Sequence, residues 1–346
     1  MPWTKLLIEK QEPGFDESKE KNGRKLTFSQ AILEALDQAL ALDPNVFVMG
    51  QGVDDPGGMF GTTSNLHKKY GSHRVFDTPL SENCLTGVAI GAASVGMRPV
   101  YIHNRPDFLL LAMDQIVNHA AKWSYMFGGH LKIPLVIRAV IGKGWGSAAQ
   151  HSQALYSLFM HVPGLKVVLP STPYDVKGLL LTSIADNNPV IFIEHRWLYK
   201  HTGLVPEKEY FIPLGKGIVR RTGKHVTIVG ISYMVIEALR AAEELQIQGI
   251  EAEVIDLRTI KPLDEQIILD SIKKTGHLVV AEIGWKNASL GSEVAAIAAE
   301  KGFNYLKAPV RRITSAECPT PACHILEAGF YPGVDDIIQA AKEILA

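Results

Sequence analysis

Cysteine is scarce in this sequence, which contains three cysteines in 346 residues, Cys84, Cys318 and Cys323. Their number is odd and no two are spaced as Cys-x-x-Cys, so neither a disulfide framework nor a structural zinc site is expected. The sequence also lacks an apolar run close to the ~18 residues that a membrane-spanning helix needs. We therefore expect a reduced, cytoplasmic protein with no membrane partner.

An excess of charge of one sign is also absent. The chain has 35 Lys and Arg residues against 36 Asp and Glu residues, which gives a formal net charge of −1. A surface with this balance has no large basic or acidic field to attract a polyanion or an anionic lipid surface. We therefore expect no nucleic-acid partner, and a small-molecule substrate is the simpler expectation.

Hydrophobic residues make up 47% of the chain, enough for two domains that each bury a core. Short β-branched runs such as Val46–Gly50 alternate with helical patterns, and this alternation predicts an α/β fold with mainly parallel sheets flanked by helices. The composition changes to Lys, Gly, Pro and aromatic residues at about 195–214, and a second alternation follows. We predict three regions: an N-terminal arm (1–25), a first domain (26–200) and a second domain (201–346).

The string Asp77-Thr-Pro-Leu-Ser-Glu82 places a carboxylate where a strand ends and a helix of small residues starts. In α/β folds, ligands bind at such strand ends. The helix macrodipole also favours an acidic residue at a helix start, so the pattern alone leaves a purely structural role open. The apolar run from Gly87 to Met97 predicts that this helix is buried.

The same string resembles the cofactor-activating segment of thiamine diphosphate enzymes of the transketolase superfamily. It is most similar to the β subunits of the decarboxylating component of 2-oxo acid dehydrogenases, from about Thr27 to the end. The resemblance implies a pyrimidine-binding domain followed by a transketolase C-terminal-like domain. It also implies that Glu82 is catalytic: it hydrogen-bonds the aminopyrimidine ring and promotes loss of the thiazolium C2 proton, which requires shielding from water. The cofactor-binding residues that it implies are Leu80, Glu82 and Phe108.

A glycine-rich loop, Gly142-Lys-Gly-Trp-Gly-Ser147, leads to His151. It is not a dinucleotide-binding fingerprint, because Ser147 stands where the third glycine is needed. A single histidine is commonly structural. The string Ala-Ala-Gln-His151-Ser-Gln, however, resembles the segment around the active-site histidine of this family. The resemblance implies that His151 is catalytic and that it binds, and exchanges protons with, the substrate carboxylate or the carbonyl-derived oxygen.

The segment Asp186-Asn-Asn188-Pro resembles one that binds a structural potassium ion in several relatives. Carbonyl and side-chain oxygens suit such an ion. A plain turn rich in Asp and Asn is the alternative. The ligands that the resemblance implies are Leu135, Ser183, Ile184, Asp186 and Asn188.

Two segments depart from the pattern of these β subunits. Gln51-Gly52 replaces an acidic pair, which leaves a proton relay between paired active sites in doubt. The segment that contains His103 and Arg105 replaces a less polar one, so both residues are candidates for substrate contact. An arginine that faces solvent is the alternative. These departures weaken the assignment of pyruvate or a branched-chain 2-oxo acid as the substrate.

The resemblance implies a diphosphate clamp in which a Gly-Asp-Gly motif helps to hold a divalent metal, and no such motif occurs in this chain. Mg²⁺ is usually held by carboxylates and phosphate oxygens, so its ligands are expected from an α subunit in an α₂β₂ heterotetramer. The implied reaction is decarboxylation of a 2-oxo acid with acyl transfer to a lipoyl group on a partner acyltransferase. One alternative is the small subunit of a split transketolase that acts on sugars or sugar phosphates. A non-catalytic scaffold is another alternative, against which the presence of Glu82 and His151 argues.

Overall fold

A computed structural model describes residues 23–58, 60–142 and 146–346. The chain divides into two compact units, one formed by residues up to 141 together with 158–214, the other by 142–157 together with 215–346. Most of the predicted N-terminal arm lies outside the described residues.

The first unit is built on a parallel sheet with the strand order β6-β7-β5-β4-β2-β3. Every residue of β4, β5 and β7 is buried, as expected where helices cover both faces of a parallel sheet. A separate antiparallel pair joins β1 to β8. The strands of this unit are β1 (Lys25–Thr27), β2 (Val46–Gly50), β3 (Val75–Phe76), β4 (Arg98–His103), β5 (Val136–Ile141), β6 (Lys166–Val168), β7 (Val190–His195) and β8 (Thr202–Leu204).

The first long helix begins where the sequence predicts it. The Thr27 hydroxyl accepts a hydrogen bond from the Gln30 amide at 3.2 Å, and the Gln30 side chain accepts one from the Thr27 amide at 2.8 Å, which forms a capping box. The helices up to residue 185 are α1 (Phe28–Leu42), α2 (Leu66–Tyr70), α3 (Glu82–Ser94), α4 (Pro106–Leu109), α5 (Ala121–Met126), α6 (Tyr156–His161) and α7 (Pro173–Ala185). Short 3₁₀ and π segments at Leu110–Ala112, Gln115–Ala120 and Arg196–Leu198 complete the unit.

The predicted burial of the small-residue helix is wrong for one of its faces. Val88 on α3 is 54% exposed, and Val95 at its C-terminal end is 81% exposed. The opposite side, which includes Ala89 and Ala93, is buried. An apolar helix is buried all round only when a second layer covers it, and the described part of this unit covers α3 on the side that faces β4.

The second unit repeats the α/β alternation on a sheet with the order β14-β13-β10-β11-β9, in which β9 alone runs antiparallel to its neighbour. The strands of this unit are β9 (Ile218–Arg221), β10 (Val226–Gly230), β11 (Ala252–Asp256), β12 (Thr259–Lys261), β13 (Leu278–Ala281) and β14 (Arg311–Ile313), of which all but β12 form the sheet. Its helices are α8 (Tyr233–Ile247), α9 (Glu265–Thr275), α10 (Leu290–Lys301), α11 (His324–Phe330) and α12 (Val334–Leu345), with a 3₁₀ turn at Phe303–Tyr305. The predicted two-domain α/β architecture with mainly parallel sheets is confirmed.

None of the helices in the described part of the chain has both the length and the apolar character that crossing a bilayer requires.

Candidate active site

Glu82 is the first residue of α3, which follows β3 after a short extended stretch. Its backbone carbonyl accepts a hydrogen bond from the Thr86 hydroxyl at 2.7 Å. Within the described residues, no donor reaches its carboxylate, and the side chain is only half-buried. The shielding from water that its predicted role requires is therefore incomplete in this chain.

Leu80 and Phe108 offer apolar surface on the same unit as Glu82. Leu80 is 75% exposed and therefore accessible to a ligand. Phe108 lies on the short helix α4 directly after β4 and is half-buried. The Glu82 carboxylate can accept a hydrogen bond, and Leu80 and Phe108 offer accessible apolar surface. Together these groups suit an aromatic ring that carries an amino group.

The carboxyl end of β4 carries two buried polar side chains. His103 is 4% exposed, and its ring centroid lies 4.2 Å from that of Tyr101. Burial lowers the pKa of His103 to about 3. Arg105 is 8% exposed, so the alternative of an arginine that faces solvent is wrong. Its charge adds to burial in lowering the pKa of the Arg196 guanidinium, which places the two cations near each other.

The β2–β4 contact leaves space for glycine alone at the end of β2. Gly50 has φ +148°, and a Cβ atom there would lie 2.4 Å from the Ile102 carbonyl oxygen. The loop that follows contains Gln51, and the Gly52 amide donates to the Asp77 carboxylate at 2.7 Å. This hydrogen bond connects the string Asp77–Glu82 to the loop that contains Gln51, where the sequence departs from the family pattern.

His151 belongs to the second unit, in the segment 142–157, and its side chain is exposed. Residues 143–145 of the glycine-rich loop lie outside the described residues. The segment is anchored a few residues later by Tyr156, which is fully buried. Its hydroxyl donates to the Glu282 carboxylate at 2.8 Å and accepts from the Gly284 amide at 3.0 Å. Sequence reasoning missed this pair, since 126 residues separate its members.

Burial raises the pKa of Glu282, although hydrogen bonds from the Gly291 amide and the Tyr156 hydroxyl act in the opposite direction. The Gly291 amide lies 2.6 Å from the other carboxylate oxygen. Burial, followed by the charge of Glu282, raises the pKa of the Tyr156 phenol well above its ordinary value. This pair holds Tyr156, near the end of the segment 142–157, against the residue that follows β13 in the second unit.

Several oxygens of the predicted potassium site already accept hydrogen bonds. The Arg98 guanidinium donates to the carbonyls of Ile184 at 2.9 Å and Asp186 at 3.0 Å, and the Leu135 carbonyl accepts from the Val190 amide at 2.8 Å. The Ser183 hydroxyl donates to the Leu179 carbonyl within α7. The remaining polar contacts are those of the Asp186 carboxylate, which pairs with Lys166 and accepts from the Asn188 amide.

A metal site of the predicted diphosphate-binding kind is not found in the described part of the chain, where no three His, Cys, Asp or Glu side chains cluster as metal ligands. The three cysteines are free and exposed.

Two family descriptions match the chain. Residues 24–202 match "Transketolase, pyrimidine binding domain", and residues 215–337 match "Transketolase, C-terminal domain". Together they span most of both units.

Curated relatives match over almost their whole length. The chain is 45% identical over 332 residues to the acetoin:2,6-dichlorophenolindophenol oxidoreductase subunit beta of Cupriavidus necator, covering 93% of this chain and 98% of that protein. It is 43% identical over 334 residues to the protein of the same name from Bacillus subtilis, with 93% and 98% coverage. It is 44% identical over 319 residues to the pyruvate dehydrogenase E1 component subunit beta of Rickettsia felis, with 92% and 98% coverage.

Among solved structures, a protein described as "Split gene transketolase, inactive beta4 tetramer" superposes with a TM-score of 0.75 at 25% identity. The similarity covers 92% of this chain and 98% of that chain.

Proposed function

Because this chain belongs to the family of dehydrogenase β subunits that join a transketolase pyrimidine-binding domain to a transketolase C-terminal domain, we propose that it is the β subunit of a thiamine diphosphate-dependent 2-oxo acid dehydrogenase. The reaction is decarboxylation of a 2-oxo acid and transfer of the acyl group to a lipoyl group. The observation that carries the proposal is Glu82, a carboxylate without a hydrogen-bond donor at the carboxyl edge of a parallel sheet. We place the pyrimidine-binding domain at 26–200 and the C-terminal domain at 201–346.

Glu82, Leu80 and Phe108 would hold the aminopyrimidine part of thiamine diphosphate. Glu82 would accept a hydrogen bond from the ring and share a proton with it, and the two accessible apolar side chains would pack against the ring. When bound, the cofactor supplies a carbon nucleophile and an electron sink for decarboxylation. The protein contributes orientation and proton traffic, and both depend on a fixed position for Glu82.

His151 binds and exchanges a proton with the substrate in this proposal. An imidazole suits that task because its ordinary pKa lies near neutrality. Tyr156 restricts the backbone five residues further on, since its hydroxyl is held from two sides. A histidine beside the substrate can serve successive steps as acid and base.

Relatives of this chain are named as β subunits, which implies an α partner. We propose that the α subunit supplies the Mg²⁺ ligands and the diphosphate clamp, and that two copies of each subunit form an α₂β₂ heterotetramer. The exposed apolar side of α3 and the 75% exposed Leu80 support an additional covering subunit. The acyl acceptor would be a lipoyl-bearing acyltransferase. A cytoplasmic location and a bound potassium ion stay predictions.

A split transketolase subunit is the second candidate. It is supported by the solved structure described as a split gene transketolase and by the polar side chains of His103 and Arg105 at the end of β4. Co-expression with the cognate α subunit separates the two candidates. Reduction of lipoamide or of 2,6-dichlorophenolindophenol by a 2-oxo acid supports the dehydrogenase. Ketol transfer between sugar phosphates, without reduction of either acceptor, supports the transketolase.

A further inference from the structure

The side chain of His103 is buried without a hydrogen-bond partner for one of its ring nitrogens. Its exposed fraction is 4%, and its Nε2 atom makes no hydrogen bond to any described residue. A buried polar atom left unsatisfied destabilises a folded protein. Folded proteins therefore rarely retain one, and a bound molecule that supplies the missing partner is one explanation.

The position of His103 is that of a ligand-binding residue. It is the last residue of β4, at the carboxyl end of the parallel sheet, where ligands of α/β folds bind. Tyr101 lies two residues earlier and hence on the same face of the strand. Burial and then the negative charge of Glu82 raise the pKa of Tyr101 to about 12, so the phenol lies near that carboxylate. His103 therefore faces the same side of the sheet as Glu82.

The imidazole of His103 acts as a neutral group. Burial lowers its pKa to about 3, so it carries no charge at neutral pH. A neutral imidazole donates or accepts one hydrogen bond at Nε2, depending on its tautomer. Its natural partner is a neutral oxygen such as a hydroxyl, because a substrate carboxylate is better matched by a cationic side chain.

We propose that His103 is a specificity-determining residue that hydrogen-bonds a hydroxyl group on the carbon next to the reacting carbonyl of the substrate. The substrate class is then a 2-oxo acid with a hydroxyl group on the carbon next to the reacting carbonyl. This inference rests on the proposed function, because it takes the carboxyl edge beside Glu82 as the site of reaction. A buried polar group of this kind discriminates strongly, since a substrate without the hydroxyl leaves it unsatisfied.

The test compares matched substrates on the complex with the cognate α subunit. Hydroxypyruvate is paired with pyruvate, and 3-hydroxy-2-oxobutanoate with 2-oxobutanoate. The wild-type complex should prefer the hydroxylated member of each pair by at least ~10-fold in kcat/KM. His103→Phe should remove most of that preference, and His103→Gln should keep part of it because the amide still forms a hydrogen bond. His130→Phe, at an exposed histidine of the same unit, is the control and should leave the preference unchanged.

Calorimetric titration of the same complexes with hydroxypyruvate, without an acyl acceptor, gives a second readout that measures binding. Hydroxypyruvate binding that is weaker by at least ~10-fold in His103→Phe supports the inference even if no complex turns over a substrate, a result that would overturn the proposed function alone. Equal hydroxypyruvate affinity in wild type and His103→Phe would overturn the inference, as would equal losses of kcat/KM on both members of each pair. Absence of hydroxypyruvate binding to a wild-type complex that turns over pyruvate would also overturn it.

Discussion

The Glu82 carboxylate lies at the first position of α3, where the described part of the chain offers it no hydrogen-bond donor. Glu82→Gln keeps the shape of the side chain and removes the acid that we propose shares a proton with the cofactor. We expect kcat of the assembled complex to fall by at least ~10²-fold, the lower end for a positioned acid–base group. Glu207→Gln, at an exposed position of the same unit, is the control. Turnover close to that of the wild type would contradict the assignment.

Glu282 makes the stability of the second unit depend on pH. Burial raises its pKa in the folded protein, so the folded state binds the proton more tightly than the unfolded state does. Its contribution to stability is therefore largest below the ordinary glutamate pKa of about 4.3 and declines as pH rises through the raised folded value. A tenfold difference in proton affinity corresponds to about 1.4 kcal/mol.

The Glu282→Gln variant imitates the protonated carboxyl group over the whole range of pH. We expect its free energy of unfolding, relative to that of the wild type, to increase as pH rises above about 4.5, close to the ordinary glutamate pKa. Urea unfolding of both proteins at a series of pH values measures this difference. Glu293→Gln, on the exposed side of α10, is the control for the loss of an exposed carboxylate from the same unit. A pH-independent difference for Glu282→Gln would show that burial does not shift its titration.

At the scale of secondary-structure elements, local sequence patterns predicted most of the fold. β-Branched runs became the buried strands β2, β4, β5 and β7, and the capping residue Thr27 marks the start of α1. Those features depend on neighbours in the sequence. The exposed side of α3 and the Tyr156–Glu282 pair could not be predicted, because the first depends on which layers cover a helix and the second joins residues 126 positions apart.

The candidate site was only partly predictable for the same reason. The strings around Glu82 and His151 are local and identify candidate residues, but their burial is a tertiary property. Arg105 could be read either as a surface residue or as a pocket residue, and only the fold shows that it is buried. The buried, unsatisfied nitrogen of His103 is likewise visible only once the end of β4 is packed.

The turn between α7 and β7 is where a potassium ion is predicted. Arg98 already donates to carbonyls of this turn, but each carbonyl oxygen has two lone pairs and can also bind an ion. We expect the melting temperature to fall when potassium is replaced by tetramethylammonium at equal ionic strength, because binding to the native state is lost. An unchanged melting temperature would indicate a plain turn in which Arg98 and Lys166 supply all the positive charge.

The exposed side of α3 predicts where the α subunit binds. Val88 and the neighbouring Leu111 are 54% and 59% exposed, and α3 has no charged residue after Glu82. Val88→Asp would bury a carboxylate without a partner in the complex, so we expect loss of association with the α subunit in gel filtration. Ile247→Asp, at an 81% exposed position of the second unit, should leave association intact. Unaltered assembly of the Val88→Asp protein would contradict this surface as the interface.

At the scale of the whole molecule, the proposal gives this chain one half of the machinery that thiamine diphosphate needs. Glu82 and Phe108 would bind the aminopyrimidine, but the described residues contain no cluster of metal ligands and the sequence contains no Gly-Asp-Gly motif. We therefore expect the charged half of the cofactor to be bound by the α subunit. Permanent subunit interfaces commonly bury ~2,000 Å² or more, so a complex with an α subunit should survive gel filtration.

We expect the isolated chain to fold but to show no turnover. It should bind thiamine diphosphate with Mg²⁺ at least ~100-fold more weakly than the assembled complex, because the diphosphate and metal contacts are lost. A ~100-fold difference in affinity corresponds to about 2.7 kcal/mol. Isothermal titration of the chain alone and of the complex measures both affinities. Addition of the α subunit should restore cofactor binding and turnover together, because the missing ligands arrive with it. The Glu82→Gln complex serves as the control that retains the diphosphate clamp but lacks the proton-sharing acid. Tight, Mg²⁺-dependent binding by the isolated chain would contradict a cofactor site divided between two subunits.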